Sequence, residues 1–377
     1  MRVLMNAWPH YLLSHSSDYY ANTEVASMRN DYPDMEFGIV DSQFAAAVAN
    51  ARILLIRAVG ACPGLHWEWL ALRPLFYLRS MTFLPQSWLA KTRPDVIYAH
   101  GQLPWISRDC RIPMIGVEHF PSDRHLEMAG AIKLKRLDIE AKRWSTSRAS
   151  ALITNTPTSK ARFEEYIPES RGRVRQIPAY TPYLEPIDED AVALKHAEED
   201  RLRVLFIGGE ARRKGLPQLL EAIDRLDPRI GKELDLTVVS RFRDGAVDNV
   251  HARARVMENI STEDLLQLMR NAHIFAFPTQ FESYGRVILE AMAAGCAVVT
   301  TNADPQDWML DYGKAGISVD PASPPEIAEA LTRLVDEASL RKAYGLAAVR
   351  RFKSVFYHRV VARQLRQVFE QVTKNAC

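Results

Sequence analysis

The sequence contains few cysteines and carries little net charge. Among its 377 residues there are four cysteines, Cys62, Cys110, Cys296 and Cys377, and their spacing matches no metal-binding pattern. So sparse a set is typical of a reduced compartment, and we expect a cytoplasmic location. The formal net charge at pH 7 is only +2, which gives no overall field that would attract nucleic acid as a partner.

Long apolar runs and two common site patterns are also missing. A membrane-spanning helix needs about 20 consecutive apolar residues, whereas arginines break up the most apolar stretches, 53–59 and 65–89. Residues 1–5 predict a buried strand and not the apolar core of a signal peptide. No G-x-G-x-x-G follows a strand, which excludes the dinucleotide fingerprint of dehydrogenases. No D-x-D pair ends a strand, so we expect no metal at the site.

What the sequence does contain is an alternation of short apolar runs with helix-length amphipathic segments, which predicts parallel sheets with crossover helices. In the first half we predict strands at 2–7, 95–99, 114–117, 151–154 and 173–177, and helices at 126–144 and 159–166. In the second half we predict strands at 203–207, 234–239, 273–278 and 297–301, and helices at 216–226, 262–269 and 286–294. At this length the pattern indicates two α/β domains in tandem.

The proline-rich segment 178–190 separates the two series and is typical of a linker. Residues 325–373 contain more helix than one sheet needs, and a last helix that crosses back onto the first domain would explain the excess. We therefore expect an N-terminal Rossmann-like domain at 1–182, a C-terminal one at 183–352 and a returning helix at 353–377.

The segment 277–301 is the most informative part of the chain. A strand ends near Pro278, a polar loop follows and a helix begins near Gly285. A helix N-terminus at the end of a strand offers backbone N–H groups and a positive dipole end to an anion, and glycine permits close approach. Glu282 and Glu290 bracket this helix start, and carboxylates accept hydrogen bonds from sugar or ribose hydroxyls. Taken alone, most glutamates at such positions are solvated helix-end charges, and it is the surrounding pattern that favours a functional role.

A second loop, 206–215 (FIGGEARRKG), joins a predicted strand to a predicted helix. The pair Gly208 and Gly209 permits a tight turn, and Arg212, Arg213 and Lys214 offer cations to a diphosphate. From this segment alone a solvated basic turn remains an equal alternative.

The run E-S-Y-G-R-V-I-L-E-A-M-A-A-G at 282–295 resembles the E-x7-E signature of the retaining glycosyltransferase family 4. The resemblance implies the GT-B fold, in which two Rossmann-like domains face each other across a cleft. It also implies a UDP- or GDP-sugar as co-substrate, with no metal and no other cofactor. By this match Glu282 contacts the donor sugar and Glu290 the ribose hydroxyls. The diphosphate then meets the turn formed by Ser283, Tyr284, Gly285 and Arg286.

Two further positions match the family less completely. Lys214 resembles the phosphate-binding lysine of a Gly-Arg…Lys-Gly loop, but Gly209 stands where the family has arginine and the loop is one residue shorter. Arg213 or Arg212 would then replace that arginine. His119, after the strand predicted at 114–117, resembles a family histidine near the donor sugar and acceptor, and we expect it to hydrogen-bond the sugar.

Residues 65–91 combine aromatic side chains with Arg73, Arg79 and Lys91, and a basic helix lies near Lys133. Aromatic and basic residues together are typical of a face that binds anionic lipid headgroups, while a packed core segment is the alternative. The surface interpretation implies a lipid-linked acceptor and a peripheral position on the inner face of the membrane.

The sequence therefore favours transfer of a hexose-type sugar to a saccharide or lipid-linked acceptor in glycan biosynthesis. One alternative is a GT-B sugar-nucleotide epimerase, which needs no acceptor. Another is a catalytically silent nucleotide-sugar-binding protein, which the glycine at position 209 would allow. The joint presence of Glu282, Glu290 and Lys214 argues against a silent protein.

Overall fold

The computed structural model describes residues 1–6, 28–39, 86–100, 111–117, 136–181, 183–197, 201–243, 245, 247–248 and 250–376. These residues form two compact units. The described residues up to 181, together with 361–376, belong to the first unit, and those from 183 to 360 belong to the second. Each unit is built around a six-stranded sheet.

The first sheet has the strand order β2-β1-β3-β4-β5-β6, and each neighbouring pair is parallel. Its central strands are buried along their length, which explains why they are short uninterrupted apolar runs in the sequence. The strands are β1 (Arg2–Asn6), β2 (Glu36–Ile39), β3 (Val96–His100), β4 (Met114–Val117), β5 (Ala151–Thr154) and β6 (Val174–Gln176). The described helices between them are α1 (Gln86–Thr92), α2 (Arg136–Arg148) and α3 (Pro157–Tyr166).

The second sheet has the order β12-β11-β10-β7-β8-β9, again with parallel neighbours. Its strands are β7 (Leu202–Ile207), β8 (Leu234–Val239), β9 (Arg255–Met257), β10 (Ile274–Phe277), β11 (Ala297–Thr301) and β12 (Ile317–Val319). The helices of this unit are α4 (Glu189–Lys195), α5 (Leu216–Asp224), α6 (Pro228–Glu233), α7 (Val250–Arg253), α8 (Thr262–Asn271), α9 (Arg286–Ala293), α10 (Gln306–Met309), α11 (Pro324–Asp336) and α12 (Ala338–Arg351).

The order of the second sheet decides where its site lies. Strand β7 lies between β10 and β8. Because the three strands are parallel, the loops that follow them leave the same edge of the sheet, where ligands collect in open α/β folds. The loops after β7, β10 and β8 are therefore brought together although they are far apart in the sequence.

The predicted linker is shorter than the segment 178–190. Asp188 caps a helix, because its Oδ1 accepts a hydrogen bond from Ala191 N at 2.7 Å, and α4 begins at Glu189. The side chain at Asp188 thus supplies one of the acceptors that the first turn of a helix requires. The acidic end of the linker sequence is the start of a helix that packs into the second unit.

The last helix, α13 (His358–Ala376), extends into the first unit. Val361, Leu365, Phe369 and other apolar residues on one of its faces lie in the same buried cluster as the strand residues of that unit. On the exposed side, both terminal nitrogens of Arg366 donate to Asp34, at 2.9 and 2.6 Å. This is the crossing-back helix that the long helical tail predicts.

A buried polar group lies where α4 packs in the second unit. His196 is 2% exposed, and its Nε2 donates to Gly295 O at 2.8 Å. Its Nδ1 is buried and has no hydrogen-bond partner. Burial lowers the pKa of His196 to about 4, and the positive charges of Lys195 and Arg341 and the neighbouring His273 add to this shift. Protonation would give the buried ring a positive charge and would place its second N–H at an atom without a hydrogen-bond partner.

We expect the protein to lose stability as the pH falls from 6.5 to about 4, because in that range the unfolded chain binds a proton at this histidine and the native chain does not. At pH 5 the free energy of unfolding should be about 2 kcal/mol lower from this group alone. Urea titrations between pH 7.5 and 5 measure the effect. His196→Asn should flatten the dependence, whereas His251→Asn, at an exposed position, should not; equal slopes in all three proteins would contradict the prediction.

Candidate functional site

The loops after β7 and β10 meet at a close backbone contact. Each loop ends at a glycine with a left-handed backbone, Gly215 with φ 86° before α5 and Gly285 with φ 91° before α9. A Cβ atom on Gly215 would lie 1.9 Å from the carbonyl oxygen of Pro278. Position 215 therefore requires glycine for two reasons, the left-handed backbone conformation and the close approach of the two loops.

Lys214 and Glu282, which the sequence assigns to phosphate and sugar, are in contact. Lys214 Nζ and Glu282 Oε2 form an ion pair, and the two side chains are 12% and 14% exposed. The ammonium also lies 5.2 Å from the centre of the Phe277 ring, a favourable cation–π distance. The contact with Glu282 uses one of the three N–H donors of the ammonium, which leaves directions for phosphate oxygens.

The environment of Lys214 shifts its pKa without removing its charge at neutral pH. Burial lowers the pKa to about 8, the nearby charge of Arg213 adds to the shift, and Glu210 opposes it. The Glu282 carboxylate likewise favours the charged form. The site therefore contains a partly desolvated cation, whose attraction for an anion exceeds that of a surface lysine.

Arg213 links the two loops of the site, and its predicted contact with phosphate stays a prediction. Its Nε donates to Glu210 Oε2 at 2.8 Å, and its Nη1 donates to the carbonyl oxygen of Phe281 at 2.6 Å. Its own carbonyl oxygen accepts from Gln280 N at 2.9 Å. These bonds tie the β7 loop to the β10 loop, so Arg213 holds Glu282 and Lys214 in register. As placed, its guanidinium is engaged by protein groups.

The glycine pair of the β7 loop has two distinct environments. A Cβ atom on Gly208 would lie 2.8 and 2.9 Å from Cγ and Cβ of Lys214. A Cβ atom on Gly209 would meet nothing closer than 3.9 Å. Gly208 therefore makes room for the stem of the lysine, whereas a Cβ atom on Gly209 would clash with nothing.

Gly208→Ala should consequently lower the free energy of unfolding by about 1–3 kcal/mol, because the added methyl group overpacks the Lys214 stem. Gly209→Ala is the matched control and should be neutral or stabilising by up to about 1 kcal/mol, since alanine restricts the unfolded chain. Thermal and urea unfolding of both variants provide the measurement. Equal stability of the two variants would contradict the close packing of the Lys214 stem against Gly208.

The N-terminus of α9 lies at the same edge of the sheet. Gly285 offers no side chain to cap the first turn, while Glu282 turns back to accept from Ser283 N at 3.0 Å. The carbonyl oxygen of Tyr284 accepts from Gln306 Nε2 at 3.1 Å, which fixes the turn before the helix. Arg286 occupies the first position of α9, so all the predicted members of this turn lie around one helix start.

Glu290 lies one turn further into α9 and is partly buried. Burial raises its pKa, while a hydrogen bond from Tyr183 and the charge of Arg286 act in the opposite direction. The hydroxyl of Tyr183 donates to Glu290 Oε1 at 3.1 Å. This partner was not predicted from the sequence, because Tyr183 lies in the proline-rich segment, where no periodic pattern shows which residue it will contact.

Several predicted residues lie outside the described part of the chain. They include His119, the aromatic and basic stretch from 65 to 85, and Lys133. Their proposed roles stay predictions. Among the residues that the structure describes, no group of histidine, cysteine, aspartate or glutamate side chains could hold a metal ion. None of the helices described there is both long and apolar enough to cross a membrane.

Comparison with known families agrees with this geometry. Residues 201–337 match the family model for glycosyl transferases group 1, and residues 46–179 match that for Glycosyltransferase Family 4. The chain belongs to the group 1, family 4 glycosyltransferases. The two matched segments lie on either side of the break between the predicted domains, and the second contains Lys214, Glu282 and Glu290.

Among its relatives in this glycosyltransferase family is the phosphatidyl-myo-inositol mannosyltransferase of Mycobacterium tuberculosis. It is 33% identical over 184 residues, a match that covers 45% of this chain and 47% of the relative. The aligned region thus spans about half the length of the relative.

Solved structures show the same architecture. The sucrose-phosphate synthase of Thermosynechococcus elongatus superposes with a TM-score of 0.67 at 16% identity, over 100% of both chains. HepE of Anabaena, solved in complex with UDP, superposes with a TM-score of 0.63 at 16% identity, over 98% of this chain and 100% of its own. At such identities the likeness concerns the fold alone, and the predicted fold class, a GT-B protein of two Rossmann-like domains, is confirmed.

Proposed function

We propose that this protein transfers a sugar from a UDP- or GDP-linked donor to a saccharide or lipid-linked acceptor, with retention of anomeric configuration. The observation that carries the proposal is the ion pair of Lys214 and Glu282 beside the N-terminus of α9. A cation and a helix N-terminus suit a diphosphate. Glu282 and Glu290 suit the hydroxyl groups of the sugar and the ribose. Membership of family 4 supports this assignment.

In the proposed reaction the bond between the sugar and the diphosphate breaks, and negative charge develops on the leaving oxygen. A bond forms between the anomeric carbon and the acceptor hydroxyl oxygen on the same face of the sugar, and the hydroxyl proton passes to the leaving diphosphate. Lys214 and the dipole of α9 stabilise that charge, which is electrostatic catalysis by groups already in position. Glu282 holds the sugar while remaining in contact with the lysine, and His119 contributes a hydrogen bond to the sugar. These residues supply the positive charge, so the proposal includes no metal and no cofactor beyond the nucleotide sugar.

For the acceptor we propose a lipid-linked saccharide, with the protein peripheral on the inner face of an anionic membrane. The mycobacterial relative is named for a lipid acceptor, phosphatidyl-myo-inositol, and the stretch 65–91 has the aromatic and basic composition of an interfacial segment. In the basic helix α2, Arg143 forms ion pairs with Glu140 and Glu169. We therefore assign the binding of lipid headgroups to the other basic residues. Cosedimentation with phosphatidylglycerol vesicles, but not with phosphatidylcholine vesicles, is expected; no binding to either would contradict the membrane proposal.

A product analysis separates the proposed activity from its alternatives. The protein is incubated with UDP- and GDP-sugars, with and without extracts of lipid-linked saccharides, and the products are identified by mass spectrometry. Acceptor-dependent release of nucleotide is expected. An isomerised donor would instead indicate an epimerase, and binding without turnover would indicate a silent nucleotide-sugar-binding protein; either outcome would overturn the proposal.

A further inference from the structure

An arginine from a third loop lies against the glycine turn of the candidate site. Arg243 follows β8, the strand beside β7, and its backbone N–H donates to the carbonyl oxygen of Gly209 at 2.8 Å. A Cβ atom on Gly209 would lie 3.9 Å from both Cδ and Nε of Arg243. The stem of the arginine therefore lies within van der Waals contact of the point where a side chain at position 209 would begin.

The guanidinium of Arg243 is available to a ligand. Arg243 is exposed, and within the part of the chain that the structure describes, its side chain makes no hydrogen bond or ion pair. Arg213, in the adjacent loop, is by contrast bound to Glu210 and to the carbonyl oxygen of Phe281. Of these two arginines, Arg243 is thus the one that can bind an anion without first losing a protein partner.

The loop that carries Arg243 is held in place by its own contacts. Ser240 Oγ accepts from Phe242 N at 3.0 Å, and the carbonyl oxygen of Phe242 accepts from Gly245 N at 3.0 Å. The Phe242 side chain packs against the buried cluster of the second unit. An anchored loop loses less conformational entropy when it binds a ligand, so the arginine is positioned as well as charged.

Two cations therefore lie against consecutive residues of one turn. The stem of Lys214 packs over Gly208, and the stem of Arg243 packs over Gly209. The loops after β7 and β8 reach this turn from the same edge of the sheet. A diphosphate carries negative charge on both phosphates, and a guanidinium can bind two phosphate oxygens at once.

We propose that Arg243 is a ligand of the donor diphosphate and acts as the second cation beside Lys214. The inference rests on the proposed function, because it assigns a further contact to the same donor site. Gly209 stands where the family has an arginine, and the guanidinium missing there is supplied by Arg243 from the β8 loop.

Calorimetric titration with UDP, GDP and the corresponding nucleosides tests this assignment. In Arg243→Gln the affinity for the diphosphate that binds the wild-type protein should fall about 10- to 100-fold, the effect of a lost hydrogen bond between charged groups. Affinity for the nucleoside should not change. Arg241→Gln is the matched control, since Arg241 is an exposed arginine of the same loop and should have a much smaller effect.

A second variant tests whether the position of the guanidinium matters as well as its charge. Because a Cβ atom on Gly209 would clash with nothing, Gly209→Arg in the Arg243→Gln background returns a guanidinium to the same turn and should recover most of the lost affinity. No recovery, unchanged diphosphate affinity in Arg243→Gln, or an equal loss in Arg241→Gln would each overturn the assignment.

The outcomes also separate this inference from the proposed function. If the wild-type protein binds neither UDP nor GDP, the proposed function is wrong and the role of Arg243 is wrong with it. If the wild-type protein binds a diphosphate and Glu290→Gln weakens binding while Arg243→Gln does not, only the inference about Arg243 is wrong.

Discussion

Replacing Lys214 by alanine is expected to lower the turnover number for sugar transfer by a factor on the order of 10² to 10³, or about 3–4 kcal/mol of transition-state stabilisation. The ammonium is largely buried beside Glu282 and Phe277, and an electrostatic contact in such a place is much stronger than in water. Charge on the leaving diphosphate increases as its bond to the sugar breaks, so the loss should appear mainly in turnover. Single-turnover measurement of nucleotide release from saturating donor is the appropriate assay.

The matched control is Lys314→Ala, which removes the same charge from a side chain that is 77% exposed and paired with Asp311 at 3.1 Å. Its turnover should equal that of the wild type. Lys214→Ala leaves the Glu282 carboxylate partly buried without its cation, so thermal unfolding must be recorded in parallel. A folded Lys214→Ala protein with wild-type turnover would remove the lysine from the proposed chemistry.

The individual elements of the site could be predicted from the sequence, but their contacts could not. The strand, the loop, Gly285 and the start of α9 form one continuous pattern, and a local pattern suffices to predict them. The ion pair of Lys214 with Glu282 depends on β7 and β10 being neighbours in the sheet. Strand order follows from how whole crossover units pack, and no residue in either loop encodes it.

Edge strands and the assignment of cations show the same limit. The strands missed from the sequence, β2, β9 and β12, all lie at sheet edges, where only one side is paired and the strand need not be wholly apolar; Arg255 in β9 is exposed. Arg213 was expected to bind phosphate because it precedes Lys214, and this stays a prediction; its bond to Phe281 O across the two loops could not be predicted from the sequence. A signal for Arg243 is present in the sequence, since basic residues after a buried parallel strand reach the edge where ligands bind.

Glu290→Ala is expected to weaken binding of the nucleoside diphosphate about 100-fold or more. A carboxylate that accepts hydrogen bonds from two ribose hydroxyls makes two charged hydrogen bonds, each contributing about 1.5–3 kcal/mol. Tyr183 binds one carboxylate oxygen, Oε1, at 3.1 Å, which fixes the direction of the group. Calorimetry with UDP and GDP measures the loss, and Glu329→Ala, at an exposed position in α11, should leave the affinity unchanged.

The pH dependence of the same binding distinguishes a ribose contact from a structural role. Because burial raises the pKa of Glu290, the carboxylate should become protonated, and affinity should begin to fall, at a higher pH than for an ordinary glutamate. The hydrogen bond from Tyr183 opposes this shift, so Tyr183→Phe should move the fall in affinity to still higher pH without changing the affinity at pH 8 by more than about tenfold. A 2′,3′-dideoxynucleotide lacks the hydroxyls, and Glu290→Ala should then have little effect on its binding. An equal loss for the ordinary and the dideoxy nucleotide would mean that Glu290 supports α9 and does not bind the ribose.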